Sequence, residues 1–493
     1  MATPAPPRTP LSASTDPVPF WLAGRPAGSD VTAEVRHPDD GTLVAAYAVP
    51  TAGQVEEAVA AAWRSRHAAQ ALSAAARADA LAHVSRRLTE RADEVAHLIT
   101  AENGKPLMWA RAEAARAAST FRWAAEEARR WGGDLQRLDT DAAMAGRAAV
   151  VRRFPHGPVL GIAPFNFPLN LVAHKVAPAL AVGAPIVLKP APATPLSALL
   201  LGELLAETGL PEGMWSVLPV GNDAAAALVA DERLPIVSFT GSEGVGFAIQ
   251  AAAPRKHVTL ELGGNAAAIV LSDWSSDDDL EWAAMRIATF ANYQAGQSCV
   301  SVQRVLVDRA VHDRFVPQLV KKVEALRTGS PWDDDVVVGP LISEAAARRV
   351  EDWVDEAVAA GATLLTGGVR DGASYAPTVL ADAPADVRIS CEEVFGPVMT
   401  VQVFDGVDEA FAVVNDSRFG LQTGVFTHDL RTAFRAHRDL EVGGVIIGDV
   451  PSFRADQMPY GGVKSSGVGR EGLRAAMEDF THERVLVLTG LEL

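Results

Sequence analysis

The sequence predicts an α/β protein: a mostly parallel sheet covered by helices on both faces, followed by a second α/β unit. Two observations carry this. From Gly157 onward, short apolar and β-branched runs alternate with Ala- and Leu-rich helical runs, the pattern of a parallel sheet with crossover helices. The chain of 493 residues is also 48% hydrophobic and 21% charged. That composition is ordinary for a globular protein, and the length allows roughly three domain-sized units.

Taken in order, the first residues (MATPAPPRTPLSASTDPVP) are rich in Pro, Ala, Ser and Thr and contain no apolar signal core. They read as a disordered leader over 1–19. From Thr51 to about Trp131, apolar residues recur at three- and four-residue spacing and NGKP punctuates the pattern, which predicts helices. The stretch LQRLDTDAAMAGRAAVVRRFPH is a candidate hairpin. GPVLGIAPF, APIVLKPA, MWSVLPV, PIVSFTG and HVTLELGG then read as strands, with helical runs between them. Ligands on such sheets bind at the carboxyl ends of the strands, so PFN, KPA, FTGS and ELGG fall on one rim. A second alternating stretch runs from about Asn265 to Arg470. The segment THERVLVLTG reads as a lone strand without a local partner, so it and the hairpin are candidates to pair across a subunit contact.

The formal net charge of −17 argues against nucleic acid or an anionic membrane surface as partner. The longest apolar stretches are broken by His, Lys, Pro and Gly, so no transmembrane helix is expected. Two cysteines exclude a disulfide framework and fit a reducing compartment, so a cytoplasmic location is expected. No metal site is expected.

Cys299 sits in GQSCVSVQR among small polar neighbours, with Gly296 permitting a tight turn. A nucleophile needs that open approach, together with a base and oxyanion donors; the alternative is a buried structural thiol. Cys391, in ISCEEVFGP, has no comparable setting. Glu261 closes an apolar strand in LELGGN. Burial would raise its pKa toward neutrality and suit a general base, whereas a solvent-facing strand end would leave it ordinary. Gly241 and Ser242 mark a strand-to-helix turn whose free N–H groups suit a pyrophosphate. Lys189 closes another strand on that rim, able to reach a ribose hydroxyl or phosphate or simply to extend into water. The stretch GVGREG matches the spacing of a dinucleotide fingerprint but follows a loop, so it is rejected as one.

Taken together, PFNFP, KPA, FTGS, ELGGN, GQSC, EEVFGP and PYGGVKSSGVGREG, in that order, resemble the NAD(P)-dependent aldehyde dehydrogenase superfamily over nearly the whole chain beyond the leader. The resemblance implies a Rossmann-variant cofactor domain, a second α/β catalytic domain and a small β oligomerisation element. These are mapped to 20–133 with 156–262, to 263–470, and to 134–155 with 480–493. It implies Cys299 as the nucleophile and Asn166 as the amide that binds the oxyanion with the Cys299 N–H. Glu261 is implied as the base that activates water for thioester hydrolysis. For NAD or NADP it implies Lys189 at a ribose, Gly241 and Ser242 at the pyrophosphate, Gly246 at the close helix approach, and Glu393 and Phe395 at the nicotinamide half. A homodimer or homotetramer is implied.

Some positions depart from the family's common pattern. Pro192 stands where NAD-preferring members often carry a Glu that repels a 2′-phosphate, so NADP is not excluded. The stretch WSSDDDLEW looks longer than usual and is expected to be a surface loop. FNFPLNLVAHKVAPA followed by SFRADQMPYGG is similar to a subgroup acting on small polar aldehydes, including lactaldehyde and phosphonate or sulfonate aldehydes. Leu171 and His174 are expected to line the substrate channel. Arg454 is expected near its mouth, either holding an anionic tail or paired on the surface with Asp456 or Asp449. Phe167 and Ser298 flank the site without adding charge, which weakens a dedicated anion site. The competing readings are a CoA-acylating dehydrogenase, opposed by Glu261; a thiol esterase; and a silent binding protein on the same fold.

Overall fold

The computed structural model describes residues 16–490. Most of the expected leader, and residues 491–493 of the expected C-terminal element, lie outside the described residues. The end of the expected leader is ordered: Val18 is buried and exchanges backbone hydrogen bonds with Ala46 and Ala48.

Two sheets organise the chain. The first has eight strands in the order Arg25–Ala27, Phe20–Leu22, Trp215–Val217, Ile186–Lys189, Val159–Ile162, Ile236–Thr240, His257–Glu261 and Gly467–Val468. Its five central strands run parallel, as their uninterrupted apolar runs require of strands covered on both faces. Chain order moves outward one way from Val159–Ile162 and the other way from Ile236–Thr240, so the topological switch point lies between them, where ligands bind. The four helices Ala52–Ala71, Ala74–Glu90, Ala92–Asn103 and Leu107–Arg130 bury Ala- and Leu-rich faces in the same core.

The second sheet has seven strands: Thr363–Thr366, Thr378–Ala381, Val398–Phe404, Arg304–Asp308, Ala267–Val270, Gln422–Phe426 and Gly444–Ile447. The chain leaves it before Arg470. Gly467–Val468 pairs antiparallel with Leu260 and Glu261, and Leu473, Met477 and Phe480 enter the first core. The rejected GVGREG motif is therefore an edge strand closing the first sheet.

Two sequence expectations need correction. The strand Thr481–Thr489 has no local partner, as expected, but it pairs within the chain rather than across a subunit contact, antiparallel with Arg147–Pro155 over its whole length. With Gly133–Arg137 these form a three-stranded extension. The missed pairing is between segments far apart in sequence, as for Arg153 and Thr481, 328 residues apart. WSSDDDLEW is not a loop either. Ser276 caps the helix Asp277–Asn292 by accepting the Asp279 N–H, and Asp279 reaches back to the Ser276 N–H. The acidic run is thus a capped first turn, where negative charge meets the positive end of the helix.

Candidate active site

A cavity of about 460 Å³ opens between the two sheets at the carboxyl ends of the first. Glu261, at the end of a strand of the first sheet, and Cys299, in the loop leading into the strand Arg304–Asp308 of the second, both line it, together with Asn166.

Glu261 ends its strand 3% exposed, and neither carboxylate oxygen has a hydrogen-bond partner among the described residues. Its pKa is raised well above the ordinary value, first by burial and then by the charge of Glu471; Arg454, Lys175 and Arg470 oppose the rise. The sequence alternative of a solvent-facing strand end is excluded.

Cys299 follows a short 3₁₀ turn, Tyr293–Gly296. Gln294, Ala295 and Gly296 all take left-handed backbone, with φ of 52, 54 and 69°. For the two non-glycine residues this conformation is costly and marks a functional constraint. A Cβ on Gly296 would lie 2.0 Å from the Gly396 carbonyl oxygen, so only glycine makes the approach. The loop is pinned further where Gln297 Oε1 accepts the Ile342 N–H at 2.9 Å and Tyr293 Oη donates to Ser298 Oγ at 2.7 Å. Cys299 is half-buried, and its Sγ lies 3.1 Å from Tyr460 Oη. Burial pushes the thiol up to about 12, against the hydrogen bond from Tyr460. Cys391 is exposed.

Asn166 is buried. Its Nδ2 donates to the Gln297 carbonyl at 2.9 Å, and its own carbonyl accepts Gln294 Nε2. The amide is thereby held against the cysteine loop.

Gly241, Ser242, Glu393 and Phe395 line the same cavity. Ser242 precedes the helix Glu243–Ala252, and its side chain makes no cap hydrogen bond. The first-turn N–H groups of that helix thus lack the usual side-chain acceptor, as a pyrophosphate site needs. Gly246 lets this helix approach the sheet: a Cβ there would stand 2.4 Å from Leu262 Cδ2. Glu393 accepts the Gly264 N–H at 3.0 Å, and burial lifts its carboxyl to about 7. Phe395 takes φ of 47° and stands edge-on to Phe165 at 5.8 Å.

Lys189 lies outside the cavity lining, two strands from Ile236–Thr240 in the sheet order, or about 10 Å across. Its ammonium is buried with only the Pro190 carbonyl at 3.4 Å, and burial lowers its pKa. It does not extend into water. Pro192 lies in an exposed turn, and its carbonyl accepts Tyr47 Oη at 3.2 Å. An uncapped helix N-terminus at the switch point and a desolvated lysine ending the strand next but one along the same rim fit an extended ligand such as a dinucleotide.

Among the expected substrate residues, Phe167, Leu171 and Ser298 line the cavity. His174 does not: it is buried behind the wall, with Nε2 3.4 Å from Asp456 Oδ1. Burial and then Arg454 hold its pKa down to about 4, so the ring is neutral near pH 7. Arg454 lines the cavity, but it is neither at a mouth nor paired with Asp456 or Asp449. Its side chain is 8% exposed and bonds Glu471 Oε2 at 3.1 Å, and the guanidinium lies 3.8 Å over the Tyr460 ring. Asp449 pairs with Arg286, and Asp456 with Arg116 at 3.0 Å.

Sequence reasoning missed Arg116, Tyr460 and Glu471, all of which line the cavity. Tyr460 and Glu471 lay inside quoted motifs. Arg116 carried no signal beyond its place in a helical pattern. Glu471 also takes a 3.1 Å ion pair from wholly buried Lys175. Burial would raise the Glu471 carboxyl, but Lys175 and Arg454 pull it below the ordinary range.

A doubly covered parallel sheet with an opening at its switch point, beside a second sheet whose leading loop delivers a cysteine, fits a nicotinamide-dependent oxidoreductase. The chain belongs to the aldehyde dehydrogenase family, whose profile matches residues 25–486. It is 44% identical over 402 residues to a 3-sulfolactaldehyde dehydrogenase of Priestia aryabhattai, covering 81% of this chain and 83% of that protein. The crystal structure of aldehyde dehydrogenase 21 from Physcomitrella patens, in complex with the reaction product succinate, superposes with a TM-score of 0.95. It shares 42% identity, over 97% of this chain and 100% of that one. The NADP-dependent glyceraldehyde-3-phosphate dehydrogenase of Bacillus halodurans C-125, complexed with NADP, gives 0.92 at 33% identity, over 97% and 100%. The protein is thus an NAD(P)-dependent enzyme that oxidises a small aldehyde to a carboxylate.

With its thiol held up to about 12, Cys299 of the free enzyme is almost wholly protonated near neutrality. In a Cys391→Ser background, its alkylation by iodoacetamide should rise about tenfold per pH unit from 7 to 9. A plateau within that range, followed by mass spectrometry of the Cys299 peptide, would contradict the buried-thiol geometry.

Proposed function

We propose that the substrate is a small aldehyde with an anionic far end, a carboxylate, sulfonate or phosphate, oxidised through a covalent thioester on Cys299. The observation that carries the anionic end is the charge balance of the cavity wall. With Glu261 raised toward its neutral form, the lining Arg116 and Arg454 and the Lys175 behind them are ion-paired with two carboxylates, Glu471 and Asp456. Arg454 Nε is buried and accepted by nothing among the described residues. A surplus buried cation calls for an anion. The names of the relatives above support this, since they refer to a sulfonated aldehyde, succinate and a phosphorylated aldehyde.

The chemistry assigned to the chain's own groups is as follows. Glu261, in its carboxylate form, takes the Cys299 proton as sulfur adds to the carbonyl carbon. Asn166 Nδ2 and the Cys299 N–H hold the oxygen as it becomes an oxyanion. Fixed donors of this kind are worth about 10²–10³ in rate. The bound nicotinamide supplies the hydride acceptor. Once rid of its proton, Glu261 draws a proton from water as the water oxygen attacks the Cys299 thioester. The product leaves as the carboxylate, the remaining water proton passes to the departing sulfur, which returns as the thiol, and Glu261 releases its proton to solvent. Position 192 carries no carboxylate, so a 2′-phosphate meets no repulsion there, and both NAD and NADP are accepted. In this reading the water-activating Glu261 removes the need for CoA as acyl acceptor.

Arg116→Met should raise KM for succinate semialdehyde by about 10–100-fold, the worth of a charged hydrogen bond, while kcat/KM for butanal changes little. Equal losses on both aldehydes, in a panel run with each dinucleotide and with Cys299→Ser as the blank, would remove the anionic end from the proposal.

We infer a homodimer or homotetramer from the three-stranded extension, which exposes Leu135 and Leu486 on one face and Val485 and Val487 on the other, too apolar for free surfaces. Leu486→Asp with Val487→Lys should shift the protein toward monomer in sedimentation velocity. An unchanged assembly would refute the assignment.

A further inference from the structure

The turn after Val159–Ile162, Ala163 to Leu169, carries Asn166 and lies outside any regular ladder. Three groups from one short segment hold it. Asn103 Nδ2 donates to the Phe165 carbonyl at 2.7 Å. Glu113 Oε1 accepts the Leu169 N–H at 2.9 Å and the Asn170 N–H at 3.0 Å, capping the helix Asn170–Val182, for which Leu169 provides no side-chain cap. Lys105 pairs with the other Glu113 oxygen, and its ammonium lies 4.1 Å over the Phe167 ring. The carbonyl before Asn166, the ring after it and the two amides beyond are all fixed from this side. The Lys105 and Glu113 side chains are wholly buried.

A buried ion pair is weak ground for stability, because desolvation consumes most of the attraction. Here its atoms are spent on the turn. The same segment is tied to the catalytic side: Leu107 N–H donates to the Pro331 carbonyl at 2.9 Å, and Trp109 Nε1 to the Val337 carbonyl at 2.9 Å. From that stretch, Ile342 N–H reaches Gln297, whose carbonyl receives Asn166. One span thus braces both partners of the Asn166–Gln297 contact.

We propose that Lys105 and Glu113 are positioning residues for the oxyanion amide: they act on catalysis only through the placement of Asn166. This rests on the assignment of Asn166 to the oxyanion. A group misplaced by about 1 Å loses on the order of 10²-fold in rate.

The test is a mutant cycle on the full-length enzyme, reading kcat, KM for the dinucleotide and Tm. Asn166→Ala alone examines the oxyanion assignment. Glu113→Gln, and the charge-neutral pair Lys105→Met with Glu113→Gln in case the single variant folds poorly, examine the positioning. The expected result is a fall in kcat of about 10–100-fold with KM for the dinucleotide within twofold, and no further fall when the same changes are made in Asn166→Ala. Equal losses in both backgrounds, or an unchanged kcat with only a lowered Tm, would overturn the positioning role while leaving Asn166 in place. An Asn166→Ala enzyme with unimpaired kcat would bring down both assignments.

Discussion

The site depends on one steric constraint, the crossing of the chain between the sheets at Gly263 and Gly264. A Cβ on Gly263 would lie 2.4 Å from Glu393 Oε2, and one on Gly264 would lie 2.7 Å from the Cys299 carbonyl oxygen. The crossing is so tight that the strand ending in Glu261 and the loop bearing Cys299 are brought to one cavity by the backbone itself. Ser466 completes it, donating to the Gly263 carbonyl at 2.7 Å and accepting the Gly420 N–H at 2.9 Å. The Gly264 N–H reaches Glu393, so one pair of residues sets the positions of Glu261, Cys299 and Glu393 together.

Around that crossing the protein keeps unfavourable features that folding alone would remove. Glu261 is buried without a hydrogen bond, and two non-glycine residues ahead of Cys299 are held in left-handed backbone. Such features persist where the surroundings over-determine them. The buried Lys175–Glu471–Arg454 cluster answers the electrostatic part. Lys175 and Arg454 hold Glu471 low, while burial and then the Glu471 charge lift Glu261 against the same cations, so that of two nearby carboxylates one stays ionised and one is tuned toward neutrality, the arrangement by which environment separates roles among like groups.

How much of this was legible follows from what each signal depends on. The parallel strands were readable because each is a short apolar run between punctuating residues. The rim was readable because polar residues fell together at their carboxyl ends. The base and the cysteine stood out as chemical types in exposed or costly sequence settings, whereas the Asn166 amide was named only through the family resemblance. What failed was pairing across distance. Arg454 looked able to reach Asp456 two residues on, but it bonds Glu471, which sits within the stretch discarded as a nucleotide motif. His174 had helical spacing from Leu171, yet its ring turns to Asp456, 282 residues away. The strands before Thr51 are only three to six residues long, too brief to carry periodicity.

The measurement closest to the central claim is mass spectrometry of Glu261→Gln mixed with an aldehyde and NAD(P)+ and quenched within seconds. If sulfur carries the acyl group and Glu261 delivers the water that removes it, loss of the carboxylate should slow acyl release more than acylation, so the Cys299 peptide of this variant should accumulate the acyl mass while that of the unaltered enzyme stays largely free. An unmodified Cys299 peptide in both proteins, with reduced dinucleotide still forming, would contradict the account.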